Sequence, residues 1–254
     1  QTTAIDSGFN SIATLEKITV TTTRTEKSIG EIPVPIQVIT KKFIQQTGSQ
    51  KLIDILQQQT GLILADNPLG QALQGYPNPF GSGIQLQGLD PAYTRILVDG
   101  EPLTGRNAGI LNLGRIAVGN IKQIEIIKGP ATSLYGSEAM AGVINIITEK
   151  PLATNADLAF HYGSNQSAGI TVNAFYKAKT SGYKFFADRH SSNGYDLDKS
   201  VYGKTSDRFH AYTFSATADN SLGEKTDLQT SLRYFSEKQF NNYQVYTSGT
   251  AEAV

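Results

Sequence analysis

The chain has 254 residues, no cysteine, and 22 Lys and Arg residues that balance 22 Asp and Glu residues. The lack of cysteine excludes disulfides and thiolate metal sites, and the balanced charge argues against nucleic-acid binding through a basic face. No apolar run approaches the roughly 20 residues of a transmembrane helix, and the first residues lack the charged start and apolar core of a signal peptide. The 24 glycines, 12 tyrosines and 11 phenylalanines suit β-structure with many tight turns.

The segment after the polar N-terminal tail predicts one strand and two short helices. Val34 to Ile39 is mostly β-branched and forms the strand. Thr40 is a good N-cap for a helix that Gly48 ends, and Ser49 is a good N-cap for a second helix that ends at Gly61.

Loops and short strands follow. Residues 65–83 are rich in Gly and Pro and form a loop. Ile84 to Gly88 and Tyr93 to Val98 are predicted strands, and Asp99-Gly100 is a tight turn before a second loop that reaches about residue 116.

Residues 121–148 have the most distinctive pattern in the chain. Ile121 to Ile127 is a β-branched strand that Gly129-Pro130 ends, because Pro lacks an N–H donor and Gly permits unusual dihedrals. Gly136 and Gly142 bracket a compact connection with a short helical turn, and Val143 to Ile147 is a second strand.

After Pro151 the sequence changes to segments of about ten residues with strict alternation of apolar and polar side chains. One face carries Leu158, Phe160, Tyr162, Ile170, Val172, Ala174, Tyr176, Tyr183, Phe185, Ala187, Tyr212, Phe214, Ala216, Ala218, Leu228, Leu232 and Tyr234. Phe175 and Phe186 depart from the pattern. The pattern is typical of a transmembrane β-barrel wall, but a soluble antiparallel sheet with one wet face has it too.

The connections between these segments favour the barrel. If the first strand rises from the periplasm, both long connections are external and both periplasmic turns are short, as in known barrels; the first external loop is short as well, which a barrel tolerates. The long ones span Ser191 to Asp207 and begin again at Ser236. His161 is expected to face a polar lumen, and His190 and His210 are expected to be solvated near strand ends.

Four motifs, taken in order, carry a resemblance. They are Pro33-x-Pro35-Ile-Gln-Val-Ile-Thr, Ile84-Gln-Leu-Gln-Gly-Leu-Asp-Pro, Tyr93-Thr-Arg-Ile-Leu-Val-Asp-Gly-Glu-Pro-Leu, and Ile121 to Thr148 with its Gly-Pro, Ser-x-x-Tyr-Gly and Gly-Val-Ile-Asn-Ile-Ile-Thr elements. Together they resemble the plug domain of TonB-dependent outer-membrane receptors. Gln87, Gln123 and Ala141 stand where that family more often has Arg, Arg and Gly.

The resemblance implies an α+β plug domain, a small mixed sheet with short helices, followed by antiparallel β-strands of a truncated transmembrane β-barrel. We expect a flexible segment over residues 1–30, a plug over 31–150, and about five barrel strands over 151–254. Since five strands cannot close a barrel and the family's barrel has 22, we expect the chain to be a truncated receptor.

Near the N-terminus, Leu15-Glu-Lys-Ile-Thr-Val-Thr21 resembles the TonB box, an extended segment that pairs with the energy-transducing protein TonB by β-augmentation. Lys17 and Thr19 depart from the usual Thr and Val, and a Thr-rich tail or a first strand is the alternative interpretation. The residues expected to bind TonB are Glu16, Lys17, Ile18, Thr19, Val20 and Thr21.

Ligand contacts are expected from loops at the plug apex, over residues 66–83 and 101–114. The candidates are Tyr76, Asn78, Phe80, Arg106 and Asn107, which offer aromatic faces, amides and a cation; the alternative is that they only shape or solvate loops. The resemblance assigns structural roles to Arg95, Asp99, Gly100, Glu125, Lys128, Gly129, Pro130, Tyr135, Gly136, Gly142 and Asn145. Of these, Arg95, Glu125 and Lys128 are expected to make polar contacts between plug and wall.

The resemblance implies active uptake of a scarce ligand across the Gram-negative outer membrane, with the plug in the barrel lumen and the N-terminus in the periplasm. The expected partners are TonB, outer-membrane lipid and an iron complex such as a ferric siderophore, with haem or cobalamin as alternatives. No catalytic constellation, metal-ligand spacing or cofactor motif is present. A soluble α+β ligand-binding module is the competing hypothesis.

Overall fold

The computed structural model describes residues 19–20, 27–28, 35–66, 82–106, 110–197, 206–223, 226–240, 244–247 and 250–253. The strands are β1 (Thr19–Val20), β2 (Lys27–Ser28), β3 (Ile36–Thr40), β4 (Leu62–Asp66), β5 (Ser82–Leu86), β6 (Thr94–Val98), β7 (Glu101–Pro102), β8 (Ile121–Lys128), β9 (Gly142–Thr148), β10 (Asn155–Gly163), β11 (Ser167–Lys177), β12 (Ser181–Ser192), β13 (Arg208–Gly223), β14 (Thr226–Phe240), β15 (Gln244–Thr247) and β16 (Thr250–Ala253). The α-helices are α1 (Lys41–Thr47), α2 (Leu52–Gln57) and α3 (Thr132–Tyr135). We call residues 35–150 the plug and the sheet β10–β14 the wall.

The plug is built on a mixed five-stranded sheet in the order β3-β8-β9-β6-β7. The central strand β9 runs antiparallel to β8 and parallel to β6. All seven residues of β9 are buried, and six residues of β8, α2 and β9 that line the core are almost inaccessible: Ile124, Ile126, Leu52, Ile55, Leu56 and Ile144. The mixed sheet with short helices is the predicted fold.

The two helices behave differently at their starts. Thr40 caps α1 as predicted, accepting a bond from the Phe43 N–H, and Gly48 ends that helix in the left-handed conformation at φ 66°. The prediction that Ser49 caps α2 is wrong, because the N-cap is Lys51 and no side chain bonds there. The Leu52 N–H instead donates to the backbone carbonyl of residue 116 over 2.9 Å. A tertiary backbone bond thus satisfies the donor that a capping side chain satisfies elsewhere.

The end of α2 also departs from expectation. The helix stops at Gln57, with Gln58 as its C-cap, rather than at Gly61. Gly61 instead has φ +80° in the turn just before β4.

The segment 121–148 has the predicted order of strand, break, helical turn, break and strand. Gly129 lies at φ 116° and Gly136 at φ 81°, on either side of α3. Gly142 lies at φ 147°, and a Cβ at that position would stand 2.1 Å from the carbonyl oxygen of Ile127. Only glycine permits this close approach of β8 and β9.

The wall is an antiparallel sheet in strand order β10-β11-β12-β13-β14. Its apolar stripe points away from the plug, with Phe160 71% and Tyr162 84% exposed. Its other face lies against the plug, and the two residues that broke the alternation, Phe175 and Phe186, are buried there. None of the α-helices in the described part of the chain has the length and hydropathy that a membrane span needs.

Three short pairs complete the described strands. Within the plug, β4 and β5 are antiparallel, with Leu62 opposite Leu86. The other two pairs lie outside the plug sheet and the wall. In the first, β1 and β2 are antiparallel, with Thr19 opposite Ser28 and Val20 opposite Lys27. In the second, β15 and β16 are antiparallel over four residue pairs.

Candidate functional site: the contact between plug and wall

A buried lysine of the wall joins two parts of the plug. Lys184 of β12 is 7% exposed, and its ammonium donates to the hydroxyl of Thr148 at the end of β9. The same ammonium lies 3.8 Å from the Asp99 carboxylate, and the Arg233 guanidinium of β14 lies 3.9 Å from it. Two wall cations therefore meet one plug carboxylate.

Asp99 is held in place by hydrogen bonds to strand β9. It begins the tight turn between β6 and β7 with φ 54°, followed by Gly100 at φ 85°. Its carboxylate accepts bonds from the Thr148 N–H over 2.8 Å and from the Thr148 hydroxyl over 2.6 Å. The Gly100 N–H donates to the side chain of Asn145 over 3.1 Å. These bonds aim the carboxylate at the wall.

Lys51 makes a second charged contact, with the sign reversed. Its ammonium lies 3.7 Å from the Glu237 carboxylate of β14 and 4.1 Å from the ring centre of Phe209 on β13, a cation–π distance. Nearby on α2, burial raises the pKa of Asp54, against the opposing influence of Lys51 and His190.

At a third contact the two backbones come close. A Cβ on Gly119 of the plug would stand 2.5 Å from Thr171 Cγ2 and 3.2 Å from Phe186 of the wall. The Asn173 amide donates to the Gly119 carbonyl over 3.1 Å and to the Asp157 carboxylate over 2.9 Å. Glycine is the one residue that permits this approach.

Buried polar groups continue along the inner face of the wall. The Thr171 hydroxyl donates to Asp188 over 2.7 Å, and Asp188 lies 3.0 Å from His190 Nδ1. His190 is 5% exposed, so the prediction that it is a solvated side chain is wrong. The plug covers the end of β12 on which it lies.

A cavity of about 370 Å³ lies between plug and wall. Its wall side is formed by β12, β13 and β14. Its plug side is formed by residues 103–105, 111–112, 116–117 and 120–121 together with Val98, Ile146 and Thr148. Apolar side chains predominate, and Arg233 is the one cation among the described lining residues. Within the described residues, no cluster of three or more His, Asp or Glu side chains is arranged to hold a metal ion.

Arg106 is the one predicted ligand-contacting residue that the structure describes. Its guanidinium donates to the carbonyls of Pro91 over 3.1 Å and Thr94 over 2.7 Å. Burial, with a smaller effect of Arg95, lowers its pKa. Arg106 thus ties its loop to the plug, and its role in ligand binding stays a prediction. Tyr76, Asn78, Phe80 and Asn107 lie outside the described residues.

The expected wall contacts of Arg95 and Lys128 are contacts within the plug instead. Arg95 pairs with Glu138, and the Lys128 ammonium donates to the Thr60 carbonyl over 2.7 Å. In both cases the partner within bonding distance is a residue of the plug. Glu125 is fully buried and accepts a bond from Gln123 over 2.8 Å.

The predicted TonB-binding residues are only partly described. Thr19 and Val20 form β1 and pair with β2. Glu16, Lys17, Ile18 and Thr21 lie outside the described residues, so their role stays a prediction.

The sequence analysis missed Lys184, Arg233 and Lys51 as contact residues. A charged residue at a polar position of an alternating strand is ordinary, so alternation alone gives no reason to select them. Their importance depends on where the plug lies against the wall, and the sequence of a single strand or helix does not indicate that position.

The comparisons with known proteins agree with this architecture. The family model described as TonB-dependent Receptor Plug Domain matches residues 28–143. The chain belongs to the TonB-dependent receptors. Receptors of this family are proteins of the outer membrane, and the mixed plug sheet followed by antiparallel wall strands is their fold.

Two curated relatives illustrate the similarity. Vitamin B12 transporter BtuB of Vibrio vulnificus strain CMCP6 is 30% identical over 177 residues, which cover 70% of this chain and 27% of that protein. BtuB of strain YJ016 is 29% identical over 238 residues, covering 92% of this chain and 36% of that protein. The chain thus spans about a third of the length of these relatives.

Solved receptor structures share the fold. A mutant of the ferric enterobactin receptor PfeA of Pseudomonas aeruginosa, in complex with enterobactin, has a TM-score of 0.65 at 20% identity and is matched over 83% of this chain and 34% of its own. The ferric-catecholate import receptor Fiu of E. coli K12 has a TM-score of 0.65 at 19% identity, over 84% of this chain and 28% of its own. At this identity the match establishes the fold alone.

Proposed function

We propose that this chain is the plug and first part of the barrel wall of an active transporter for a scarce ligand. The plug closes the barrel lumen, a ligand binds above it, and TonB displaces the plug from the periplasmic side. The observation that carries this proposal is the set of ion pairs and hydrogen bonds between plug and wall. Lys184, Arg233 and Asp99 meet there as charges, whereas the plug keeps its own apolar core.

A polar contact of this kind suits a part that must move. Charged and hydroxyl groups exchange a protein partner for water at small net cost, since a typical intramolecular hydrogen bond contributes only about 1 kcal/mol. Separating two apolar surfaces of similar size would cost about 25 cal/mol for each Å² exposed. The plug is therefore built to separate from the wall without losing its core.

The outward face of the wall argues against a soluble binding module. Its apolar side chains are strongly exposed, among them Phe160 at 71%, Tyr162 at 84% and Leu232 at 63%. A soluble monomer rarely exposes a contiguous apolar surface this wide, whereas a lipid-facing wall requires one.

For the ligand we propose an iron complex such as a ferric siderophore. Cobalamin is the second candidate, because relatives 30% and 29% identical are vitamin B12 transporters. Uptake of radiolabelled ferric enterobactin, haemin and cyanocobalamin by cells that express the receptor separates these ligands. Uptake of cyanocobalamin alone would overturn the iron proposal and leave the transporter proposal standing.

TonB dependence has its own test. In β-augmentation the backbone N–H of the added strand donates to the partner, and proline has no such donor. Val20→Pro is expected to abolish energised uptake and to leave ligand binding at the cell surface unchanged. Val20→Ala keeps the N–H and serves as the control. Full uptake by the proline variant would exclude this segment as the TonB-binding strand.

A further inference from the structure

The outward face of the wall has an uneven distribution of charge. The pairing register places Arg189, Arg208 and Lys238 on this face, since Arg189 lies opposite Tyr212, and Arg208 opposite Phe240. Asp157, Asp188, Asp219 and Asp227 fall on the other parity and so face inward. Among the described residues of β10–β14, the outward face therefore has no carboxylate, and its cations all lie at one end.

These three cations and His210 form one cluster, which we call the basic rim: Arg189, Arg208, His210 and Lys238. His210 lies directly opposite Lys238 and Ser191 in the sheet. Neighbouring strands are about 4.8 Å apart and residues rise about 3.4 Å along a strand, so the rim spans about 10 Å across its three strands and about 14 Å along them. Adjacent members of the rim are therefore close enough to share one phosphorylated head group.

Aromatic rings hold the rim cations in position. The Arg208 guanidinium lies 5.2 Å, and the Lys238 ammonium 5.1 Å, from the ring centre of Phe240. The Arg189 guanidinium lies 5.8 Å from the ring centre of Tyr212, and its Nε is 3.5 Å from the Tyr212 hydroxyl. These contacts orient the cations and leave their charge uncompensated.

The rim also has unused hydrogen-bonding capacity. Arg189, Arg208 and Lys238 are exposed, and none of the ion pairs found within the described residues includes them. His210 Nδ1 is buried and has no hydrogen-bond partner among the described residues. An anion at the rim would pair with the three exposed cations.

The position of the rim relative to the membrane follows from the connections. At the rim end, residues 164–166 separate β10 from β11 and residues 193–207 separate β12 from β13, whereas at the opposite end both connections are short, residues 178–180 and 224–225. In outer-membrane barrels the short turns are periplasmic and the long loops external. The rim thus lies at the external end, just beyond the exposed tyrosines Tyr212 and Tyr234.

We propose that the basic rim binds the phosphate groups of anionic lipids in the outer leaflet. This inference rests on the proposed outer-membrane function. Interfacial tyrosines mark the level of the head groups, and Arg is the side chain best suited to bidentate phosphate contacts. The apolar wall below the rim meets the acyl chains, so one lipid is held at both its polar and its apolar end.

The test uses the receptor in lipid nanodiscs, with bisphosphorylated lipid A as the probe and native mass spectrometry as the readout. Arg208→Gln/Lys238→Gln is expected to weaken lipid A binding about 25-fold, since each cation near an anionic lipid surface contributes roughly a factor of five. Lys177→Gln/Lys179→Gln, at the opposite end of the wall, is the matched control and is expected to bind as the wild type does. Arg208→Lys/Lys238→Arg keeps both charges and should retain binding.

Three outcomes would overturn the inference. Equal lipid A binding by the Gln variant and the wild type would show that another part of the chain covers the rim. Equal affinity for dephosphorylated lipid A would exclude phosphate recognition, and full displacement by millimolar inorganic phosphate would make the site one for the free anion. Transport and outer-membrane fractionation are measured on the same variants. If the proposed function is wrong, the wild type itself shows neither property. If only the rim inference is wrong, the wild type shows both, and lipid A binding alone departs from expectation.

Discussion

The ammonium of Lys184 lies 3.8 Å from the carboxylate of Asp99, and this ion pair joins the wall to the plug. The Thr148 hydroxyl lies between them as an acceptor from Lys184 and a donor to Asp99. The turn at Asp99-Gly100 and the end of β9 are therefore held by the same wall residue. This point is where we expect the plug to be most sensitive to substitution.

Replacing Lys184 by Met is expected to loosen the plug. Removal of one partner from a buried ion pair costs about 3–5 kcal/mol, because the remaining charge stays desolvated. The measurement is entry of a large polar dye into cells that express the receptor, and we expect faster entry than with wild type. Lys177→Met, which removes an exposed lysine of the neighbouring strand, is the control.

A double-mutant cycle separates this ion pair from general damage to the wall. If Lys184 acts through Asp99, then Asp99→Asn and Lys184→Met combine less than additively in the free energy of unfolding. Strict additivity would show that the two side chains act independently.

A side chain on Gly119 is expected to hold plug and wall apart. The added Cβ would stand 2.5 Å from Thr171, so Gly119→Ala should increase dye entry as Lys184→Met does. Gly223→Ala has open space around its Cβ and an ordinary backbone conformation, and it is expected to have no effect. Equal dye entry for both variants would contradict the close approach of Gly119 to the wall.

Two glycines of the plug signature are expected to differ in their tolerance of alanine. Gly142→Ala should prevent folding of the plug, because its Cβ would stand 2.1 Å from the Ile127 carbonyl oxygen. Gly136→Ala, with φ 81°, ψ −176° and open space around it, adds backbone strain but no clash and should cost about 1–3 kcal/mol. The fraction of receptor that resists trypsin measures the difference, and similar losses for both variants would argue against the close approach of β8 and β9 at Gly142.

The helix caps give a smaller, paired prediction. Thr40→Ala should destabilise the plug by about 1 kcal/mol, since a side-chain cap of α1 is lost. Ser49→Ala should stay within about 0.5 kcal/mol, because Ser49 does not cap α2. Urea unfolding of the two variants side by side is the measurement. A larger effect at Ser49 would contradict the start of α2 at Leu52.

Local patterns predicted those parts of the fold that local chemistry determines. The Thr40 cap, the turn at Asp99-Gly100 and the breaks at Gly129 and Gly136 depend on near neighbours in the chain, and the structure has them as predicted. The start of α2 was missed because the backbone of residue 116, distant in sequence, satisfies its first N–H.

The contact between plug and wall was predicted less well, because it depends on tertiary position. Alternation placed Lys184 on the polar face of β12, but nothing in that strand indicates Asp99 as its partner. The prediction that His190 is solvated is wrong for the same reason, because nothing in the sequence of β12 indicates that the plug buries this side chain. The exceptions Phe175 and Phe186 were the one local indication that this face meets another surface.

The connection between plug and wall is short. Only residues 149–154 separate the end of β9 from the start of β10, and six residues with their two flanking bonds extend to about 25 Å at most. Whatever force acts on the plug from the periplasmic side, its C-terminal end can move no farther than the length of this connection allows. If TonB displaces the plug as proposed, any opening wider than that must come from the remodelling of segments nearer the N-terminus, and we expect the plug to stay tethered to the wall from one transport cycle to the next.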